Sequence, residues 1–276
     1  MNATEKTLVL KPYEKTGFEE SLESVPLDPH MPMLPLIHKA DTVERPGRDD
    51  PTAEDYFASG AIMPAPCDVF GEDLVYTFVG RPAFRELQRP VCFILRPEPE
   101  LLQNLFIFDT GAYFTDRYQK IVDNHLDINR FRIPADEDSI RRFITLHFGD
   151  NESYFWGASR KKQEIELMNS LEEFSYSMLL RVFKFRDLNF DTRCRTLENI
   201  LRTAIPLDPY LQAVILPESQ SENQTIQSFR ERSSRDFEIL CYDDERGQAP
   251  AKTCNTRIDS VLLKYYADKG YIEYAL

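Results

Sequence analysis

The sequence predicts an α/β fold of the α+β kind, a single domain with a central mixed sheet and helical insertions. Short apolar segments typical of strands recur along the whole chain, and helical segments and long loops separate them. Neither an internal repeat nor a clear linker interrupts this order after residue 30. Hydrophobic residues make up 42% of the 276 residues, which is enough apolar mass to bury a sizeable core.

The predicted strands are short and apolar. Val91–Leu95 is apolar on both faces, which predicts a central position in the sheet. In Leu74–Phe78, the two-residue period of a strand places Tyr76 and Phe78 on one face. Further predicted strands are Thr7–Leu10, the apolar segment Met33–Lys39 that contains His38, Leu105–Phe108, Ala213–Leu216 and Phe237–Tyr242.

The predicted helices have recognisable ends or spacing. Thr52 is an N-cap followed by acidic residues, and the helix that it opens ends at Gly60. Gln163–Phe185 has apolar residues at three- and four-residue steps, the clearest helical pattern in the chain. The other predicted helices are Ser139–Phe148, Arg193–Thr203 and Ile258–Lys269, the last ended by Gly270.

Two units follow from composition. Residues 1–30 are polar and contain three prolines, which predicts an N-terminal arm. Residues 31–276 then form one domain, with a helical insertion at about 135–205.

Charge and cysteine content exclude several classes of function. The formal net charge of −13 opposes non-specific binding to nucleic acid or to anionic membranes. No apolar run reaches the length of about 18 residues that a membrane span needs, and the N-terminus does not resemble a signal peptide, so a cytoplasmic protein is expected. The five cysteines form no CxxC pair, so neither a zinc site nor a disulfide framework is expected.

Four segments combine polar and aromatic residues in ways that suit a binding site. In the third, Gly80 permits a sharp turn and Pro82 fixes the backbone after Arg81, so a guanidinium can be held beside an aromatic face. Singly, each has an ordinary structural reading: a core histidine, a structural corner, an aromatic core strand with solvated arginines, and a capped turn. The segments are LIHKAD (36–41), FASGAIMPAPC (57–67), EDLVYTFVGRPAFR (72–85) and FIFDTGAYFTDR (106–117).

The order of these segments resembles the NAD-dependent ADP-ribosyltransferases of the DarT type. In that family a strand histidine and a short helix ending in glycine precede an aromatic strand with an arginine turn. A Phe-Thr-Asp stretch and a strand with the catalytic glutamate follow. The matching positions here are His38, Gly60, Tyr76–Arg85, Phe114–Asp116 and Gln212–Pro217.

The resemblance implies that NAD is the substrate and that ADP-ribose passes to a macromolecular acceptor. It further implies one cleft lined by His38, Tyr76 and Arg81. The residues that it implies for NAD are His38 for the ribose hydroxyls or carboxamide, Tyr76 and Phe78 for the nicotinamide ring, Arg81 and Arg85 for the pyrophosphate, and Asp116.

One departure from the family concerns the catalytic acid. This chain has Leu211-Gln212-Ala213 where the family has its glutamate, so Gln212 and Glu218 are the nearest candidates. Glutamine can hydrogen-bond a ribose hydroxyl, but it supplies no negative charge to an oxocarbenium-like centre. Two functions therefore stay open, a toxin-like or defence ADP-ribosyltransferase with a possible inhibitor protein, and a catalytically silent module that binds a nucleotide or a partner. A structural or interaction protein with an aromatic core is compatible as well.

Overall fold

The apolar segments meet in a mixed sheet in the computed structural model, which describes residues 8–15, 18–44, 50–67, 69–83, 87–111, 127–158 and 195–273. The strands of the described residues are β1 (Leu36–Asp41), β2 (Ala61–Ile62), β3 (Ala65–Cys67), β4 (Glu72–Val79), β5 (Pro90–Leu95), β6 (Asn104–Phe106), β7 (Arg132–Ile133), β8 (Glu198–Leu201), β9 (Ile205–Pro206), β10 (Leu211–Pro217) and β11 (Glu238–Tyr242). The main sheet has the order β11-β10-β5-β1-β4-β8-β6-β7, and β3 pairs with β4 beside it. β2 and β9 form a separate pair.

Helices of the described residues accompany the sheet, and together they confirm the predicted α/β fold class. They are α1 (Phe18–Glu23), α2 (Ala53–Ser59), α3 (Glu137–His147), α4 (Asn151–Trp156), α5 (Leu207–Tyr210), α6 (Gln224–Arg232) and α7 (Ala251–Asp268). Among the described residues, no helix combines the length and apolar character that a membrane crossing requires.

The middle of the sheet is buried on both faces. Every residue of β5 is buried, and β5 pairs with β1 from Leu36↔Leu95 to Asp41↔Pro90. The central position predicted for Val91–Leu95 is therefore confirmed. All strand pairs of the main sheet are antiparallel except β10 and β11, which run parallel.

Helix α2 has the ends predicted from its sequence. Thr52 and Asp55 form a capping box, and Gly60 ends the helix with a φ of 75°, in the left-handed region that favours glycine. The helix packs Tyr56 and Phe57 against the ring of Phe93 on β5, with centroids 6.0 and 5.2 Å away. This contact fixes one side of α2 over the central strand β5.

Strands β1 and β4 are neighbours in the sheet, but they stay paired over a short distance. Their registered pairs are Leu36↔Val79 and Ile37↔Phe78. Beyond them β1 continues along β5 to Asp41, whereas β4 lies along β8 and β3. The two strands therefore separate within the sheet and leave an opening between them.

The prediction of a helix over Arg193–Thr203 is wrong. Within it, Glu198–Leu201 is strand β8, which pairs with β4 on one side and β6 on the other and is buried along its length. Leucine and glutamate favour helices in isolation, but pairing with two strands and burial on both faces outweigh that preference here.

Other boundaries differ from the predictions as well. Residues 8–10 of the predicted strand Thr7–Leu10 are not a strand; Leu8 makes one backbone hydrogen bond, to Val69. Leu10 and Leu22, from the segment predicted as an arm, are buried in the hydrophobic core. The C-terminal helix begins at Ala251 rather than at 258. The helix predicted at 163–185 lies outside the described residues.

Candidate functional site

The opening between β1 and β4 forms a cavity of about 340 Å³, at the small end of ligand-binding pockets. One side of its wall is His38–Asp41 of β1, and the other is Leu74, Tyr76 and Phe78 from one face of β4. Helix α2 and the segments around β3, β6 and β8 complete it. Their contributions to the described wall include Asp50, Tyr56, Cys67, Asp109 and Glu198.

His38 lies where the two strands separate. Its Nδ1 is 2.7 Å from the Tyr76 carbonyl oxygen, and because a carbonyl can only accept, Nδ1 carries the proton and donates. Burial lowers the pKa of His38 to about 4 and outweighs the opposing effect of that hydrogen bond, so the ring is neutral at pH 7. Nε2 is then an acceptor, and it is buried without a hydrogen-bond partner among the described residues. It can receive a donor from a ligand.

Tyr76 supplies an aromatic surface to the cavity. Its hydroxyl contacts the thiol of Cys67, which also lies in the wall. Burial raises the pKa of Tyr76 well above its ordinary value, and the negative charges of Glu198 and Asp109 add to the effect. Tyr76 therefore stays protonated and neutral.

Glu198 is a buried carboxylate in the cavity wall. It lies on β8 between Phe78 of β4 and Phe106 of β6, and it is 1% exposed. Its Oε2 accepts hydrogen bonds from the backbone amide and the hydroxyl of Thr110, at 2.8 and 2.6 Å. A charged side chain at such a position needs this kind of partner. Glu198 lines the same cavity as His38.

The described wall is net negative. Among the described residues of the wall, Lys39 is the one that carries a positive charge, and its ammonium group donates to Asn255 Oδ1. Such a wall favours a cationic or neutral group over a phosphate. Within the described ranges, no three His, Cys, Asp or Glu side chains are grouped so that they could hold a metal ion. The carboxylates of the wall are Asp41, Asp50, Asp109 and Glu198.

The turn at the end of β4 directs the chain away from the cavity. Gly80 has a φ of 64°, and a Cβ there would come within 2.5 Å of the Leu34 side chain, so glycine is required. After this turn Arg81 is 4% exposed. Its guanidinium donates to the carbonyl of Tyr154 at 3.1 Å and lies over that ring.

The expected cleft of His38, Tyr76 and Arg81 is therefore corrected. The first two line the cavity, and Phe78 does so as well, but Arg81 packs against α4 because the turn carries it past the end of the sheet. Arg85 and Asp116 lie outside the described residues.

Gln212 and Glu218, the candidates for the position of the family's glutamate, lie away from the cavity. Gln212 lies at an irregularity of β10, and β5 and β1 separate that strand from β4. Glu218 is exposed at the other end of β10, near Cys241, whose pKa it raises in addition to burial. Neither side chain lines the cavity. The acid nearest to the expected role is Glu198, from the strand next to β4.

Sequence reasoning missed Glu198 because its segment was taken for a helix. The available signal was a single charged residue between Leu197 and Ile200 in an apolar stretch, because a charge buried in a central strand is typical of functional sites. Comparisons with family models, with curated proteins and with solved structures gave no match.

Proposed function

We propose that the chain is an NAD-dependent ADP-ribosyltransferase in which Glu198 supplies the negative charge at the reacting ribose. The supporting observation is that His38, Tyr76 and Glu198, from β1, β4 and β8, line one cavity. The motif order resembling DarT contained the histidine and the aromatic strand and lacked an acid beside them. Glu198 fills that place from a different strand.

The reaction breaks the bond between nicotinamide and ribose C1′. The bonding electron pair goes to the ring nitrogen, neutral nicotinamide leaves, and positive charge develops at C1′. Glu198 stabilises that charge, and Tyr76 or Phe78 offers a face for the departing ring. The net negative wall suits the cationic nicotinamide end of NAD.

His38 orients the substrate in this proposal. A neutral imidazole whose Nε2 has no partner among the residues that the structure describes can accept a hydrogen bond from a ribose hydroxyl or from the carboxamide N–H₂. Fixing one donor beside the carboxylate holds C1′ in a reactive position, which is the usual contribution of positioning to a rate.

The acceptor completes the reaction. A nucleophile of a macromolecule bonds to C1′ and releases its proton to water. The net charge of −13 argues against long duplex DNA as that molecule, so a protein is the better candidate. A toxin or defence role, a cytoplasmic location and an inhibitor partner belong to the same proposal.

Replacing Glu198 tests the proposal directly. We expect Glu198→Gln to lower nicotinamide release from NAD about 10²- to 10³-fold, because the charge at C1′ is lost. The amide oxygen can still accept from Thr110, so the variant should fold and still show an NAD-induced rise in Tm. Glu218→Gln, an exposed site outside the cavity, is the control and should keep full activity.

Two results would contradict the proposal. A wild-type protein that neither releases nicotinamide nor gains Tm with NAD is not an NAD-dependent enzyme. A Glu198→Gln variant with full turnover removes this residue from the reaction.

A catalytically silent binding module is the second candidate. The observation that favours it is that Glu198 Oε2 is already engaged by both donors of Thr110, as in a carboxylate that closes a turn. This reading predicts an NAD-induced rise in Tm without any release of nicotinamide. The measurement above therefore separates the two functions.

A further inference from the structure

Thr110 is buried next to the cavity without lining it. The residue is 0% exposed, and its backbone amide and hydroxyl both donate to Glu198 Oε2. We infer that Thr110 is a positioning residue, which acts on the reaction by holding the carboxylate of Glu198. The inference rests on the proposed function.

The hydrogen-bond geometry gives the physical reason. A glutamate side chain has several rotatable bonds, so it presents a fixed charge only when another group restrains it. Two donors from one residue converge on one oxygen, Oε2, and Oε1 receives neither of these bonds. The plane of the carboxylate is thereby oriented. Donors to the ionised form also favour that form.

The fold brings Thr110 to this place through β6. Phe106, the last residue of β6, pairs with Glu198, and the chain then turns so that Thr110 reaches back over the same residue. Asp109 and Gly111, on either side of Thr110, both line the cavity. A Cβ at Gly111 would approach a carboxylate oxygen of Asp109 to 3.0 Å, so the turn is closely packed.

Strand β4, which pairs with β8 on its other side, supplies a matched control on the opposite face of the sheet. Thr77 of β4 is also 0% exposed, and its hydroxyl donates to the Asn199 carbonyl at 3.2 Å and accepts from the Asn199 amide at 3.0 Å. It does not line the cavity. Thr77→Val therefore removes a buried hydroxyl that contacts β8 at Asn199 and leaves the hydrogen bonds of Glu198 in place.

The experiment measures nicotinamide release by Thr110→Val, Thr110→Ser and Thr77→Val. Thr110→Val should lower kcat about 10- to 100-fold with little change in KM, as loss of a supporting hydrogen bond does in other sites. The acidic limb of its pH profile should move to higher pH, because the ionised carboxylate has lost a donor. Thr110→Ser restores the hydroxyl and should recover most of the rate. Thr77→Val should keep the wild-type kcat and pH profile.

The outcomes separate this inference from the proposed function. If wild type turns over NAD and Thr110→Val keeps its kcat and pH profile, Thr110 is a structural cap and the inference is overturned alone. Absence of turnover in wild type overturns both. If Thr110→Val does not fold, Thr110→Ala is measured with the same expectation, and a loss of rate that serine does not rescue also counts against the inference.

Discussion

Strands β4 and β8 present two polar faces that differ in their purpose. On the cavity face, Tyr76 and Phe78 stand beside the charged Glu198. On the opposite face, Thr77 and Asn199 form a neutral pair. All five residues are polar or aromatic, and all but the half-buried Tyr76 are buried, so burial alone does not distinguish a site from a structural network.

What distinguishes the two faces is where their hydrogen bonds go. The Asn199 amide donates to Thr77 and to the Leu101 carbonyl at 2.8 Å, and its oxygen accepts from the Gln103 amide at 2.9 Å. The polar groups of Asn199 on that face are therefore bonded to other groups of the protein. The cavity face keeps a carboxylate in the wall of an opening large enough for a ligand. His38 lines the same opening, and its Nε2 has no hydrogen-bond partner in the described part of the chain. Because successive residues of a strand point to opposite faces, neighbouring residues of β4 and β8 serve different roles, stability on one face and binding on the other.

Removing the neutral pair gives the largest expected effect. Asn199→Ala leaves the backbone N–H of Gln103 and the backbone carbonyl of Leu101 without their partner, which should lower the free energy of unfolding by about 4 kcal/mol. Urea denaturation measures this loss. At a temperature where the variant is folded, NAD turnover should be unchanged. A variant of wild-type stability but low turnover would reverse the roles of the two faces.

A pH dependence should arise from the cavity face, because Thr77 and Asn199 do not titrate. The pKa of His38 lies near 4 in the folded protein and near 6.5 in the unfolded chain, so the unfolded chain binds the proton more readily. The contribution of the neutral His38 to the free energy of unfolding is complete above pH 6.5. It is lost as the pH falls toward 4, which lowers the free energy of unfolding by about 3 kcal/mol.

The variant His38→Asn keeps an N–H donor for the Tyr76 carbonyl and does not titrate, so its stability should fall less between pH 7 and pH 4. Denaturant midpoints across this range measure the difference. His30→Asn, at an exposed histidine, should follow the wild type. Equal pH slopes for wild type and His38→Asn would show that His38 is not buried in its neutral form.

We expect Arg81 to contribute to stability and not to ligand binding, although it follows the cavity-lining strand β4 in sequence. Arg81→Met loses the hydrogen bond to the Tyr154 carbonyl and should lower the free energy of unfolding by about 2 kcal/mol, with KM for NAD unchanged. Arg230→Met, at an exposed arginine, should lose less than about 0.5 kcal/mol. A tenfold rise in KM at unchanged stability would instead place Arg81 at the ligand.

Elements that are determined by residues within or next to them could be predicted from the sequence. The cap at Thr52 and the glycine at Gly60 define α2, and the apolar run at 91–95 defines a central strand. Strand β8 could not be predicted in this way, because its residues favour a helix until β4 and β6 pair with it. The failure is therefore one of long-range pairing.

The same limit applies to the candidate site. His38 and Tyr76 could be predicted because their own strands are visible in the sequence. Glu198 was missed, since the candidates for the family's glutamate were Gln212 and Glu218, and the sheet order that puts β8 next to β4 is not encoded in any single segment. Arg81 was misplaced for a related reason, because the direction of the turn at Gly80 depends on contact with Leu34.

The hydrogen bond from His38 to the Tyr76 carbonyl has a consequence for recognition. It takes the place of a ladder bond that β1 would otherwise make to β4, so the imidazole keeps the two strands apart beyond Ile37 and Phe78. The cavity is thus preorganised, and an incoming molecule need not break strand pairing to enter. Affinity then reflects the contacts formed, with little loss for rearranging the sheet.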